Sequence, residues 1–226
     1  RGLPGRRAPR PGGGAALREH DPADYERLFA RRRIYTGTRD DALAAPLYER
    51  LLGTALRELP APIREMHDLR SGLVARGTAN VARGTSVTAR MVAALLRFPT
   101  TATETPVTVR FTVADGVETW TRSFGEHEFS STQFAGQGRD DRLLCERFGA
   151  LTFAMALVVE GGRLSLVVRR WSLLGIPLPM WLCPRAVAYE SVEDGRFCFH
   201  VEVRHALTGL NVRYEGSLAA PEQSEK

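Results

Sequence analysis

The sequence predicts an α+β fold. A curved antiparallel β-sheet or partly closed barrel of about eight to nine strands packs on two to three helices in a helix-grip-like manner. A closed calycin-like β-barrel is the alternative. Three observations carry this expectation. From Pro106 to Leu218 the chain alternates apolar and polar residues almost without a break. Val107, Val109, Phe111 and Val113, for example, are interleaved with Thr108, Arg110 and Thr112, the pattern of strands with one buried and one wet face. Tight turns at Ala114-Asp115-Gly116, Glu160-Gly161-Gly162 and Glu193-Asp194-Gly195 join consecutive runs, which makes the strands a meander rather than the crossover units of a nucleotide-binding sheet. A helical stripe of Val87, Met91, Val92, Leu95 and Leu96 follows the first strand and is expected to face the sheet.

The elements follow in order. Residues 1–19 are rich in Arg, Gly and Pro and lack the apolar surface to offset chain entropy, so they read as a disordered linker. Residues 20–39 read as a helical extension, with Asp21 as cap, Pro22 at the first helical position and an end near Arg33. A single β-rich domain is expected over 40–220. It opens with a helix from Asp41 to about Glu58, capped by Asp40, in which Leu43, Leu47, Leu51 and Leu52 repeat at helical spacing. Leu59-Pro60-Ala61-Pro62 ends it, and Ile63–Arg70 fits no single element. Leu73–Arg83 reads as the first strand, with Gly77 marking a bulge or a close approach by another backbone. The helix Val87–Leu96 runs to the stop at Phe98-Pro99. Strands are then expected at 106–114, 117–125, 127–134, 147–160, 163–172, 185–192, 196–205 and 209–218. Between them, Leu173–Pro184 holds Gly175 and three prolines among Ile176, Leu178, Met180 and Trp181. Such an apolar, irregular segment is expected to pack as a lid or plug. Residues 221–226 read as a flexible tail.

The formal net charge of +5 does not mark a nucleic-acid surface. Arg1, Arg6, Arg7, Arg10 and Arg18 lie in the tail, Arg31–Arg33 just after it, and the arginines of the strand region are mostly interleaved with acids. No apolar run reaches the roughly 18 residues of a membrane span. Cys145, Cys183 and Cys198 are odd in number and form no CxxC, which argues against a disulfide framework or a zinc site and for a reduced, cytoplasmic protein. The chain starts with Arg rather than Met, as a fragment of a longer protein does.

A further set of residues recurs in a specific order. It comprises Pro62-Ile63-Arg64 with His67, then Gly72, Gly77 and Gly84, then Trp120-Thr121-Arg122-Ser123-Phe124 and Phe129-Ser130-Ser131. Glu146-Arg147-Phe148-Gly149, Trp171 with Gly175-Ile176-Pro177-Leu178-Pro179, Gly195-Arg196-Phe197, Gly209 and Tyr214-Glu215-Gly216 complete it. In these the chain resembles the bacterial domain-of-unknown-function 4166 family from about Leu47 to Leu218. The resemblance implies architecture and context but no chemistry. It implies that the domain often follows a saccharopine-dehydrogenase-like NAD-binding domain in the same polypeptide. This chain has no GxGxxG after a strand, so such a partner lies upstream or is absent.

Candidate site residues are few. His67 is the best acid or base, with Glu65 or Asp68 placed to orient it; a turn histidine without chemistry is the alternative. Trp120, Arg122 and Phe124 share a strand face, and an arginine between two aromatics suits a carboxylate or phosphate at a cavity wall, or simple stacking at a sheet edge. Arg169 and Trp171 share a face before the apolar loop and, with Met180 and Trp181, are expected at the mouth of a pocket or packed on its rim. Ser130 and Ser131 lie in no GxSxG motif, and His127, His200 and His205 have no metal-ligand spacing. His200 and Glu202 are expected to share a solvent face. No metal and no cofactor is expected.

The function expected first is a non-catalytic ligand-binding or accessory domain. It would hold an apolar or amphipathic small molecule, with Arg122 or His67 fixing the polar end, and serve an upstream oxidoreductase domain. A small enzyme of cyclase, isomerase or hydrolase type using His67, and a structural domain with a filled core, are the alternatives.

Overall fold

The computed structural model describes residues 45–95 and 99–223. The linker 1–19, the extension 20–39, the Asp40 cap with the first turn of its helix, and residues 224–226 lie outside the described residues. Helix α1 (Leu47–Leu52), a 3₁₀ turn (Gly53–Glu58) and helix α2 (Ala61–Met66) precede the strands. These are β1 (Leu73–Arg83), β2 (Ala102–Ala114), β3 (Val117–Phe124), β4 (His127–Ala135), β5 (Leu144–Phe148), β6 (Leu151–Glu160) and β7 (Arg163–Leu173), then β8 (Ile176–Pro177), β9 (Arg185–Glu193), β10 (Arg196–His205), β11 (Gly209–Leu218) and β12 (Glu222–Gln223). Helix α3 (Val87–Leu95) lies between β1 and β2.

The sheet closes. Neighbouring strands pair antiparallel in the order β1 to β7, then β9, β10 and β11, and β11 returns to β1, so ten strands form a barrel. The two-residue strands β8 and β12 attach to β7 and β1. The alternative anticipated from sequence, a closed barrel, is the architecture; the open helix-grip-like sheet is not. A closed sheet covers its own apolar face, so no helix layer is needed over it.

The closing seam depends on glycine. Gly77 of β1 sits opposite Leu218 of β11, and a Cβ at Gly77 would fall 1.8 Å from the Ser217 carbonyl oxygen. A Cβ at Gly216 would fall 2.2 Å from the Thr78 carbonyl oxygen. The backbones approach here because neither position carries a side chain, as the glycine within β1 suggests.

The helices take other places than expected. Tyr48, Leu52, Ile63 and Met66 of α1 and α2 are fully buried against the inward side chains of the strands, and plug one end of the barrel. The single helix expected over 41–58 breaks at Gly53, whose φ of 56° ends α1. Helix α2 starts at Ala61, inside the expected stop, and takes in the first four residues of the undecided stretch Ile63–Arg70. On α3 two members of the expected stripe, Val87 and Met91, face away from the sheet, while the side chains of Val92, Leu95 and Leu96 lie outside the described residues. Ala89 and Ala93 are buried while Val87 and Met91 are 72% and 67% exposed. The small residues face inward because the approach is tight. A Cβ on Gly84 would meet the Leu210 carbonyl oxygen at 1.7 Å and the Ala89 Cβ at 2.8 Å.

Three further expectations are corrected. The long strand 147–160 is two strands, β5 and β6, reversed at Gly149 with φ 56°. Glu222 and Gln223, assigned to a flexible tail, pair with Val74 and Leu73. The apolar segment Leu173–Pro184 is not a packed plug; Cys183 is buried, but Leu174, Ile176, Met180 and Trp181 are exposed. Among the described residues no helix is long and apolar enough to cross a membrane.

Candidate functional site

Strand alternation sends one residue in two into the barrel, and the inward set encloses a cavity of about 200 Å³. Its walls are mostly apolar, with Phe148, Phe153, Met155, Val168 and Val203 among them. Its polar lining includes Tyr48, Arg122, Gln133, Glu146 and Glu190. These groups belong to a network that also anchors the helical plug.

Each polar group has a partner. Arg122 donates from Nη1 to Ser131 Oγ at 2.8 Å and from Nη2 to Glu146 Oε1 at 3.2 Å. Ser131 Oγ in turn donates to Glu146 Oε1 at 2.6 Å. The Arg122 guanidinium lies 5.0 Å from the Trp120 ring centroid and 5.8 Å from that of Phe129. Two aromatic faces and a carboxylate therefore hold its charge in a largely dry site. Nearer the plug, the backbone N–H of Leu47 and Nε1 of Trp120 donate to the two oxygens of Glu118. The Tyr48 hydroxyl donates to Gln133 Oε1 at 3.1 Å.

His67 completes this layer. It is the residue after α2, its ring stacks on Tyr48 at 3.6 Å between centroids, and its Nε2 lies 2.6 Å from Glu190 Oε2 on β9. With Glu190 ionised, Nε2 carries the proton and donates. The buried Nδ1 has no hydrogen-bond partner among the described residues.

Burial sets the charge states nearby. Burial, reinforced by Glu190, Glu118 and Glu146, holds the Tyr48 phenol well above its ordinary value and keeps it a neutral donor. Burial raises the Glu118 carboxyl, against the opposing hydrogen bond from Trp120 and the influence of His67. The Tyr214 phenol, also by burial, is pushed up to about 12.

The structure gathers some of the residues picked out from sequence and separates others. Trp120, Arg122 and Phe124 share the inward face of β3 and all three line the cavity. His67 stands behind that lining, fully buried. Its partner is Glu190 rather than Glu65 or Asp68; of these three residues only His67 turns inward, and Glu65 and Asp68 are exposed. Arg169 and Trp171 do not line the cavity. A bulge between Ala154 and Met155 shifts the pairing, so Val168 sits opposite Met155 but Trp171 opposite Phe153, and Arg169 falls in the break. Trp171 stacks on Phe153 and donates Nε1–H to the Pro179 carbonyl at 3.1 Å, which fastens the apolar loop. Met180 and Trp181 remain exposed and form no closed mouth with it.

His200 bonds Glu215 through Nδ1 at 2.9 Å and stacks on Tyr189, while Glu202, two residues on in the same strand, pairs with Arg204. Among the described residues no cluster of three or more His, Cys, Asp or Glu is placed to hold a metal ion.

Tyr48, Gln133, Glu146 and Glu190 were not among the candidate site residues, although Glu146 belongs to the set that carries the resemblance. Three of them carried a readable signal. Glu190 stands in phase with Ala188 and Val192, Glu146 with Leu144 and Phe148, and Gln133 with Phe129 and Ala135. A polar residue in the apolar phase of a strand is either a burial problem or a designed interior contact.

No curated protein matches the chain. The family model described as Domain of unknown function (DUF4166) matches residues 59–218. That span includes α2, all ten barrel strands and the lining contributed by β2 to β11. By this match the chain belongs to the DUF4166 family.

Proposed function

We propose that the barrel is a container for an apolar or amphipathic small molecule. The observation that carries this reading is a cavity with apolar walls in which Arg122, Gln133, Glu146, Glu190 and Tyr48 supply the polar contacts. An apolar body would lie along the walls and the polar end would meet these groups. Arg122 is already compensated by Glu146, and Glu190 is paired with His67. A strongly anionic end therefore finds no free cation there, and an uncharged hydroxyl, carbonyl or amide suits the site better. An oxidoreductase domain in the same polypeptide, as the family resemblance implies, is the partner such a container would serve. The three free cysteines suit a reducing compartment such as the cytoplasm.

Native mass spectrometry of the purified chain, followed by solvent extraction, tests the reading. A co-purifying apolar or amphipathic metabolite that Met155→Trp excludes supports it. A clean apo mass, with no uptake of fatty-acid or aromatic probes by the unaltered protein, overturns it.

One observation favours a second reading, a small enzyme. Glu190 presents a carboxylate to the cavity while His67 holds it from behind at 2.6 Å. Glu190 would then be the acid or base and His67 its positioning residue. Turnover of the extracted molecule, lost in Glu190→Gln with binding retained, would distinguish this from storage.

A further inference from the structure

We propose that the barrel end bearing the Leu173–Pro184 loop docks on the surface of an anionic lipid bilayer. This extends the container reading by naming the source of its ligand. It stands on a different part of the molecule.

The barrel wall is weakest beside that loop. β7 and β9 pair only through Leu164–Glu190, Ser165–Tyr189 and Leu166–Ala188. Beyond Leu166, β7 leaves β9 and pairs with β8 instead. Val168 on one side of the split and Pro184 and Ala186 on the other all line the cavity. The loop that joins the two diverging strands exposes Leu174, at 77%, and Trp181, at 79%, together with Ile176 and Met180. Exposed large apolar side chains in one short segment mark an interaction surface.

Other elements at the same end repeat the pattern. In an antiparallel barrel the ends of β7 and β10 and the starts of β9 and β11 lie at one rim. The β10–β11 turn there exposes Leu207 at 83%. Ser86, at the start of α3, donates to the Thr208 carbonyl at 2.9 Å, which sets the exposed Val87 and Met91 beside that turn.

The charge beside the loop is basic. Arg169 and Arg170 precede it on β7, Arg170 paired with Asp140, and no acidic residue stands between Arg169 and Tyr189. Arg185 follows the loop and is exposed, as is Arg90 on α3. Protruding apolar tips, a tryptophan among them, flanked by arginines, match the layered chemistry of a bilayer surface with anionic headgroups. The tips come from separate turns around an opening, which a fluid surface accommodates more readily than a rigid partner. Self-association would bring the basic stretches together and is disfavoured. A molecule passing from the bilayer through the split between β7 and β9 would keep its apolar part out of water.

Flotation of the full chain with vesicles tests the proposal. The expected result is flotation with phosphatidylcholine–phosphatidylglycerol vesicles, weaker flotation with phosphatidylcholine alone, and loss of binding at high salt. The double variant Leu174→Ser/Trp181→Ser should lower partitioning by roughly tenfold or more, given the apolar area removed, with an unchanged melting curve. Absence of flotation overturns the proposal. So does flotation that the double variant leaves intact, because the contact then lies elsewhere, for example in the arginine-rich N-terminal segment. Concentration-dependent dimers that the variant abolishes, without flotation, would assign the surface to a second copy and likewise overturn it. Native mass spectrometry of the same variant separates this proposal from the container reading: retained ligand with lost flotation supports docking, and flotation by a ligand-free chain leaves docking standing without the container.

Discussion

His67 and Glu190 are 123 residues apart in the chain and 2.6 Å apart in the fold. The contact joins the helical plug to β9, and its ring stacks on Tyr48 of the other plug helix. Because Glu190 also lines the cavity, the same carboxylate belongs to the anchor of the plug and to the wall of the candidate site.

His67→Ala is expected to destabilise the protein by about 3–5 kcal/mol, the usual cost of stranding one member of a buried pair. Urea unfolding measures it. A loss below about 1 kcal/mol, the scale of an exposed pair, would show that the contact does not hold the plug.

Arg122→Leu is expected to be destabilising rather than silent, because it leaves the Glu146 carboxylate buried without its cation. Arg122→Leu/Glu146→Leu should recover most of the loss. A double-mutant cycle reads the coupling, and additive single effects would remove the ion pair from the account.

Glu118 makes the stability depend on pH with a definite sign. Its folded-state carboxyl binds its proton more tightly than the ordinary value of 4.5, chiefly through burial. The folded state therefore gains relative stability where Glu118 is protonated. That gain is lost as pH rises from about 4.5 through the higher folded value, and is flat above it. Glu118→Gln should remove this slope, so the stability difference between variant and parent shifts in the variant's favour from pH 4 to pH 8. A difference that stays constant across that range would contradict the assignment.

Gly77→Ala should break the seam. The added methyl would stand 1.8 Å from a backbone oxygen, and only separation of β1 from β11 relieves that. A loss of about 3 kcal/mol or more is expected, at or beyond the upper end of ordinary overpacking. Thermal unfolding checks it, with Gly161→Ala as a comparison, where nothing lies within 4 Å but φ is +57° and backbone strain alone acts.

Much of the barrel was legible locally. The strands at 73–83, 196–205 and 209–218 stand where alternation and turn glycines place them, since both signals are properties of adjacent residues. The inward face of Trp120, Arg122 and Phe124 follows from the same period of two. Alternation also misled. It ran through Gly149 and joined β5 to β6, and it put Arg169 and Trp171 on one strand face, whereas Arg169 is the extra residue of a bulge set by the pairing with β6.

By itself the sequence determined that this chain is a meander of antiparallel strands with a largely apolar face, and that Trp120 and Arg122 point the same way. Only the tertiary structure decided that the sheet closes, that the helices plug its end, and that Glu190, Glu146, Gln133 and Tyr48 meet around one cavity. The physical reason is range. Periodicity and turn chemistry act between neighbours, whereas closure rests on the contact of β1 with β11, and the polar network on pairs such as Tyr48–Gln133 and His67–Glu190, 85 and 123 residues apart.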